Sequence, residues 1–249
     1  MPLYKGDLHI HTVLSPCSDL SMGPKDIISV AKDRGIDIIG ITDHNSAKNL
    51  QAFDEIAKLD KDISILFGIE VETFEEIHVL CFFETLETIL DFDAIIYASL
   101  QNISNKPDFF GEQIIVNQKE EIIGYEETLL LQRSNLTLNQ IAAKVIQFGG
   151  MIVPAHVDRK SNGLLTNLGF IPEDIKFDAI EISAKSEIKE LALSNPTLKG
   201  QNLITSSDAH SLNEVGKVSI YFDVPKPTFG NIKLAFLNQL GRRWWIPSE

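Results

Sequence analysis

Short apolar runs alternate with stretches of helical periodicity along almost the whole chain. In the segment from Asp7 to Thr12, Leu8 and Ile10 alternate with polar residues, which is typical of the end of a β-strand. Further apolar runs predict strands at 36–42, 63–71, 77–83, 151–154, 177–182, 203–207 and 218–222. The intervening patterns predict helices at 24–35, 47–59, 85–99, 138–148, 185–193 and 231–240.

The order of these elements predicts an α/β fold with a largely parallel sheet, either open or closed into a barrel, and helices outside it. The 249 residues, 44% of them hydrophobic, suffice for a sizeable core, and we expect a single domain over 1–249. Residues 100–135 interrupt the alternation with Pro107, Gly111 and Gly124. We expect this segment to be a short insertion, with a hairpin between 114–116 and 122–123, that forms a lip over an active site.

Composition and charge narrow the expected partners and compartment. The formal net charge of -13 disfavours binding of long duplex nucleic acid, because such binding needs a basic surface. We therefore expect no such partner. The first strand begins too early for a signal peptide to precede it, and no apolar run reaches the roughly 18 residues of a membrane span. These observations predict a cytoplasmic protein without membrane contact, and they make no prediction about oligomeric state.

The two cysteines are too few for a disulfide framework. Cys81 lies in the apolar run 79–83, so we expect it to be buried in the core. Cys17 lies in the polar loop after the first strand, where we expect it to be a bystander to any chemistry.

Five of the six histidines lie at or just after the carboxyl end of a predicted strand, and they are His9, His11, His44, His156 and His210. The sixth, His78, begins its strand instead. Asp7, His9 and His11 alternate, so their side chains share one face of the strand. Taken alone, this stretch could equally be a solvated surface strand. Because catalytic groups of barrel folds collect at the carboxyl ends of strands, the recurrence of histidine there favours one shared site.

Three acidic residues extend this set. Glu70 ends an apolar strand, Asp208 stands two positions before His210, and Asp19 lies in a loop that can fold back over the first strand. Imidazole and carboxylate groups are ligands of divalent first-row metals. At about three protein ligands per catalytic ion, six histidines and three acids supply up to three ions. We therefore expect two or three divalent ions, with Zn, Mn and Fe as the candidates.

Five ordered motifs, at 7–12, 41–45, 68–72, 154–156 and 206–210, resemble those of the polymerase and histidinol phosphatase (PHP) superfamily of metal-dependent phosphoesterases. The resemblance spans residues 5 to 215 and implies a distorted (β/α)7 barrel. It implies three metal positions: one held by His9, His11, Glu70 and Asp208, a second held by Glu70, His78 and His156, and a third held by Asp19, His44 and His210. The acid at position 19 resembles the branch that acts on nucleotides and short oligoribonucleotides.

Together, the residues and the resemblance predict a metal-dependent phosphoric ester hydrolase. Its substrate would be a phosphate ester of a small metabolite, a nucleotide or a short oligoribonucleotide, attacked by a hydroxide that bridges two metals. Glu70, Asp208 and His210 are the predicted catalytic residues. Arg159 would clamp the phosphate, unless it belongs to a solvated loop. Asp7, Thr42 and Asp43 are candidates for orienting the ligating imidazoles.

Two other functions stay open at this point. One is a non-catalytic metal-binding module of the same fold with a structural or interaction role. The other is metal-assisted hydrolysis of an amide in a related barrel.

Overall fold

The computed structural model describes residues 1–183 and 188–247. Its strands are β1 (Leu3–Ile10), β2 (Ile38–Ile41), β3 (Ser64–Glu72), β4 (His78–Phe83), β5 (Ile114–Val116), β6 (Ile122–Tyr125), β7 (Met151–Pro154), β8 (Ile180–Glu181), β9 (Leu203–Ile204), β10 (Ile220–Asp223) and β11 (Arg243–Trp245). Its α-helices are α1 (Pro24–Asp33), α2 (Leu50–Leu59), α3 (Leu86–Ser99), α4 (Pro107–Phe110), α5 (Leu138–Gln147), α6 (Leu164–Leu168), α7 (Ile188–Ser194) and α8 (Phe229–Phe236). A short 3₁₀ helix covers Pro196–Leu198.

The seven-stranded sheet has the order β11, β10, β1, β2, β3, β4, β7, and β8 and β9 form a separate pair. The barrel wall runs from β1 to β7 in that order and continues through β8 and β9. The first three strands of this wall are parallel, and β4 runs antiparallel to both β3 and β7. The parallel pair β8–β9 closes the ring, because Val157 N donates to Glu181 O at 2.9 Å and His11 N donates to Ala209 O at 3.0 Å. The expected α/β fold, a distorted (β/α)7 barrel, is confirmed. Its distortion lies in the reversed β4 and the very short β8 and β9.

The two faces of the strands pack into different parts of the core. Val79, Cys81 and Phe83 of β4 join the cluster that includes the buried faces of α1, α2, α3 and α5. Leu80 and Phe82 join a second cluster, which α8 completes. Because alternate residues share a face, His78 continues the face of Leu80 and Phe82. The apolar second cluster therefore leads along the strand to a polar group at its end.

Local features set where these elements begin and how closely they pack. Thr137 and Gln140 form a reciprocal capping box at the start of α5, an arrangement whose loss typically costs about 1 kcal/mol. Gly40 lies where β2 approaches β1, and a Cβ there would stand 2.4 Å from the Leu8 carbonyl oxygen. A larger residue at that position would therefore push apart the two strands that carry the first two motifs.

The insertion contains the expected hairpin, β5–β6. It is attached to the carboxyl ends of the barrel strands. Ile114 N donates to Val13 O at 2.9 Å, and Val116 N donates to Asn49 Oδ1 at 3.0 Å. Asn45 Nδ2 donates to Leu130 O at 2.9 Å. The insertion is thus fixed to the loops that follow β1 and β2, and its role as a lip stays a prediction.

Several predicted elements differ in extent from those observed. The strand predicted at 177–182 contains only Ile180–Glu181, and the closing helix begins at Phe229, because Thr228 accepts a hydrogen bond from Asn231 N as its cap. The predicted helix at 185–193 includes residues that lie outside those described. Strand β11 was not predicted, and it pairs antiparallel with β10. No helix in the described part of the chain has the length and apolar character needed to cross a membrane, and the cytoplasmic location stays a prediction.

Candidate metal centre

Eight of the nine predicted metal ligands converge at the carboxyl ends of the barrel strands, and they are His9, His11, His44, Glu70, His78, His156, Asp208 and His210. His78 is the exception in sequence, because it begins its strand, and the topology of the sheet explains its position. Because β4 runs antiparallel to β3, its first residue pairs with Glu72, the last residue of β3. The start of β4 therefore lies at the same end of the barrel as the other residues.

Glu70 occupies the centre of this cluster. Its carboxylate oxygens lie between 2.9 and 3.4 Å from ring nitrogens of five imidazoles, those of His9, His11, His44, His78 and His156. Its side chain is 1% exposed, and neither oxygen has a hydrogen-bond partner. A buried carboxylate that accepts no hydrogen bond is costly, so this arrangement fits a group that binds cations.

His9 and His11 are each held by a hydrogen bond to Nδ1. The buried Glu181 carboxylate accepts from His9 Nδ1 at 3.1 Å. The Ser15 hydroxyl donates to Asp43 at 2.6 Å and therefore accepts from His11 Nδ1 at 3.0 Å. The Nε2 atoms of His9 and His11 lie 3.1 Å apart, close enough for a single cation to bind both rings.

Asp208 completes the first group of ligands. Its Oδ1 atom lies 3.1 Å from His9 Nε2 and 3.2 Å from His11 Nε2. Two further groups have ligand atoms within 4.8 Å of one another: His11 with His44 and His210, and His44 with Glu70 and His78. His156 Nε2 lies 3.3 Å from Glu70 Oε1, beside the last group. The donor set of imidazoles and carboxylates fits divalent cations.

The electrostatics of the cluster keep its acids ionised. Burial alone would raise the pKa of Glu70, but the imidazoles of His78, His9 and His44 outweigh it and hold the pKa well below its ordinary value. For Asp208, burial is likewise outweighed by His9 and His11, and the pKa is lowered. Burial and the neighbouring His210 and His44 lower the pKa of His11. These are the deprotonated forms that bind metals.

Two of the converging residues have strained backbones. His156 has a φ of 29° and Asp208 a φ of 51°, conformations that cost on the order of 1–3 kcal/mol each for residues other than glycine. Glu181 accepts from His156 N at 3.1 Å. Asp7 accepts from Ser207 N at 3.0 Å, beside Asp208. Hydrogen bonds to buried carboxylates thus hold both strained segments in place.

The three residues expected to orient imidazoles have different roles. Asp43 acts on His11 through Ser15. Asp7 instead binds the backbone of the loop that carries Asp208, and burial raises its pKa to about 6. The Thr42 hydroxyl reaches only a backbone carbonyl, that of Ile10, at 3.5 Å.

The cluster opens into a cavity of about 370 Å³. Arg159 lies on its rim, where Nη2 is 2.5 Å from Asp208 Oδ2. Leu131, from the insertion, supplies an apolar wall, and Asn162 also lines the cavity and donates to Glu72 at 3.2 Å. The cavity therefore combines a cationic, an apolar and several hydrogen-bonding groups around the candidate metal positions.

The structure does not bring Asp19 into these ligand groups. Its side chain is exposed, and neither Asp19 nor Cys17 belongs to the candidate groups found among the described residues. Cys17, which was expected to be a bystander, lines the cavity and shares hydrogen bonds with His210 and His44. Burial would raise the pKa of this thiol, but the two imidazoles lower it to about 6. Cys17 therefore lies at the site, and its part in any chemistry stays a prediction.

Glu181 and Ser15 were not identified from sequence. Glu181 lies near the end of a predicted strand, as Glu70 does, and this position is the signal that could have revealed it. Ser15 carries no comparable signal, because its role depends on the path of the loop after β1.

The model of the PHP domain family matches residues 7–162 of the chain. The chain belongs to the PHP domain family. The match covers more than half of the sequence, including six of the eight converging residues, and the resemblance inferred from the motifs is confirmed.

Among known proteins, this PHP chain is similar to the uncharacterized protein YqxK of Bacillus subtilis, with 26% identity over 239 residues, or 87% of this chain and 55% of that protein. It is similar in structure to the lesion-specific endonuclease Q of Pyrococcus furiosus, with a TM-score of 0.75, 22% identity, and coverage of 98% of this chain and 58% of that one. A two-domain protein of Bacteroides vulgatus containing a predicted PHP-like metal-dependent phosphoesterase gives a TM-score of 0.57 at 14% identity, covering 98% of this chain and 65% of that one. The chain thus spans little more than half the length of the first two relatives.

One expectation about partners is wrong. An endonuclease Q has been solved with a 27-mer duplex whose abasic lesion lies at the active site, and this chain matches it with a TM-score of 0.71, 21% identity, and coverage of 97% of this chain and 58% of that one. A fold of this kind is therefore compatible with a long duplex partner. Net charge was a poor guide, because it sums over the whole chain, whereas a ligand responds to the local field of the site.

Proposed function

We propose that this PHP domain is a metal-dependent phosphoester hydrolase. The observation that carries the proposal is the environment of Glu70, whose two buried oxygens have no hydrogen-bond partner and face five imidazoles at 2.9–3.4 Å. Membership in the PHP family supports the same activity. A purely structural cluster would not need so many ligand atoms open to a cavity of about 370 Å³.

We assign the candidate ligands as follows. His9, His11 and Asp208 would hold one divalent cation, with Glu70 shared between it and a second held by His78 and His156. His44 and His210 would contribute to a third. Cations at these positions would lower the pKa of a water molecule and neutralise charge on the phosphate. The ions are drawn from Zn, Mn and Fe.

The side chains around the centre would orient the substrate. Arg159 is the cation best placed to bind a phosphate oxygen, because its guanidinium lies at the rim within reach of Asp208. Its planar fork matches two phosphate oxygens. Glu181 and Ser15 would keep Nε2 of His9 and His11 directed at the cation. Leu131 and the insertion would act as the lip that limits what enters.

We further propose that the substrate is a phosphate ester of a nucleotide or of a nucleic acid strand. The similarity to endonuclease Q, a nuclease solved with a DNA duplex, supports this class. The cavity volume of about 370 Å³ is at the lower end of typical ligand pockets. That size suits a phosphate with its adjoining sugar better than an extended ligand.

The test is hydrolysis by the metal-loaded full chain and by two variants, Glu70→Gln and Asp208→Asn. The substrates are p-nitrophenyl phosphate, bis(p-nitrophenyl) phosphate, nucleotides, and single-stranded and duplex oligonucleotides. We expect both variants to lose bound metal and to fall to background turnover, whereas Glu87→Gln, on the exposed surface of α3, should match the wild type. Unchanged turnover in Glu70→Gln would refute the proposal. Bound metal without turnover on any substrate would favour the non-catalytic module instead.

A further inference from the structure

His11 is a candidate ligand of two metal positions. This imidazole belongs both to the group with His9 and Asp208 and to the group with His44 and His210. Its Nδ1 atom is already bound to Ser15, so only Nε2 can bind a metal. The contacts of 3.1 and 3.2 Å to His9 and Asp208 place it in the first group.

The third group is then left with the imidazoles of His44 and His210, and His44 also lies 2.9 Å from Glu70. Catalytic metal sites in proteins usually have three protein ligands and one open position. A further ligand is therefore needed from a segment that packs against both histidines. The candidate segment is the loop after β1, because Asp19 N donates to His210 O at 2.8 Å and holds the loop beside that histidine.

Two side chains of this loop, those of Asp19 and Cys17, contain suitable ligand atoms, and their surroundings differ. The Asp19 carboxylate is exposed and is not part of the cavity lining. Cys17 lines the cavity, and its thiol shares hydrogen bonds with the imidazoles of both His44 and His210. These interactions place the sulfur of Cys17 beside both imidazoles, within reach of a cation that His44 and His210 would also bind.

We infer that Cys17, and not Asp19, is the loop ligand of the third cation, together with His44 and His210. The inference rests on the proposed function only in requiring that the centre binds metal. A thiolate is a soft ligand, so the third position would select Zn or Fe over Mn or Mg. The other two positions have only nitrogen and oxygen ligands and would be less selective.

The first measurement is X-ray absorption of the full chain loaded with zinc. We expect a sulfur scatterer at about 2.3 Å, the usual Zn–S distance, in the wild type and its absence in Cys17→Ser. Elemental analysis should show that Cys17→Ser loses up to one equivalent of metal, whereas Asp19→Asn retains all of it. Cys17 lies on the surface, so its conversion to serine leaves the core unchanged.

The second measurement is alkylation of thiols, which does not depend on activity. Cys81 is fully buried, so the reactive thiol of the folded chain is that of Cys17. We expect zinc to block its alkylation, and removal of zinc by a chelator to restore it.

A Cys17 thiol that is alkylated equally fast with and without zinc would overturn the inference, as would a loss of metal in Asp19→Asn but not in Cys17→Ser. If the chain hydrolyses phosphate esters with bound metal but shows no sulfur ligand, only this inference fails. If it binds no metal at all, the proposed function fails as well.

Discussion

Glu181 offers the sharpest test of how the centre is organised. It is 2% exposed, accepts from His9 Nδ1 at 3.1 Å, and accepts from His156 N at 3.1 Å. One carboxylate thus fixes the tautomer of one candidate ligand and the strained backbone of another. Glu181→Gln keeps the shape of the side chain but removes its charge, and the amide can present an N–H to His9 where an acceptor is needed.

The expected effect of Glu181→Gln is weaker metal binding. Loss of a carboxylate that orients a ligating histidine typically costs 10–100-fold in metal affinity, or about 1.4–2.8 kcal/mol. Glu181 also holds the strained backbone of His156, whose strain is on the order of 1–3 kcal/mol. We therefore expect a loss of metal affinity in the upper half of the 10–100-fold range. Because Glu181 acts through His9 and does not face the substrate, excess metal should restore most of kcat while KM stays near the wild-type value.

The assay is a zinc titration of the metal-free chain against a chromophoric chelator, followed by steady-state kinetics at limiting and saturating metal. The matched control is Glu173→Gln, an exposed acid whose substitution should leave metal affinity unchanged. Thermal unfolding of both metal-free variants separates loss of affinity from loss of fold. A folded Glu181→Gln variant with wild-type zinc affinity would refute the positioning role, and so would a kcat that excess metal cannot restore.

Two further predictions concern a rim residue and a buried acid away from the centre. Arg159→Ala should raise KM roughly tenfold with a smaller change in kcat, because it removes a partly exposed, charge-assisted hydrogen bond to the phosphate. Steady-state kinetics at saturating metal measures this effect, and an unchanged KM contradicts the prediction. Burial raises the pKa of Asp93 from 3.8 to about 6, although Ala47 N donates to it. The folded chain therefore holds this proton more tightly than the unfolded chain, and Asp93 costs stability as pH rises between those values. The free energy of unfolding of Asp93→Asn, relative to that of the wild type, should accordingly rise by on the order of 2–3 kcal/mol between about pH 4 and pH 7. Denaturant unfolding at the two pH values measures this change. The same difference in free energy between variant and wild type at both pH values would contradict the prediction.

The alternation of β1 was sufficient to place His9 and His11 together, because strand periodicity is a local property. The same reasoning could not explain His78, since its position depends on the direction of β4. Sequence patterns show that a strand exists but not which way it runs in the sheet. Once β4 is antiparallel to β3, its first residue faces Glu70 at 2.9 Å.

Loop residues were the least predictable part of the site. Asp19 and Cys17 lie two positions apart in one polar loop, and only the path of the backbone decides which enters the cavity. That path depends on long-range hydrogen bonds, such as Asp19 N to His210 O. The contact of Glu181 with His9 spans 172 positions, and no local pattern encodes it. Candidate ligands on strands were therefore predicted better from sequence than the loop residues and hydrogen-bond partners that hold them in place.

The charge of the chain illustrates why a sum over the sequence can mislead. Several of the acids counted in the net charge of -13 are buried around the candidate centre, including Asp7, Asp43, Glu70 and Glu181. Glu70 and Glu181 face imidazoles, and bound divalent cations would dominate the field inside the cavity. Three such ions carry more positive charge than the ligating acids carry negative charge. An acidic protein can therefore present a positive site to a phosphate ester, and the quantity that governs substrate binding is the charge of the loaded centre.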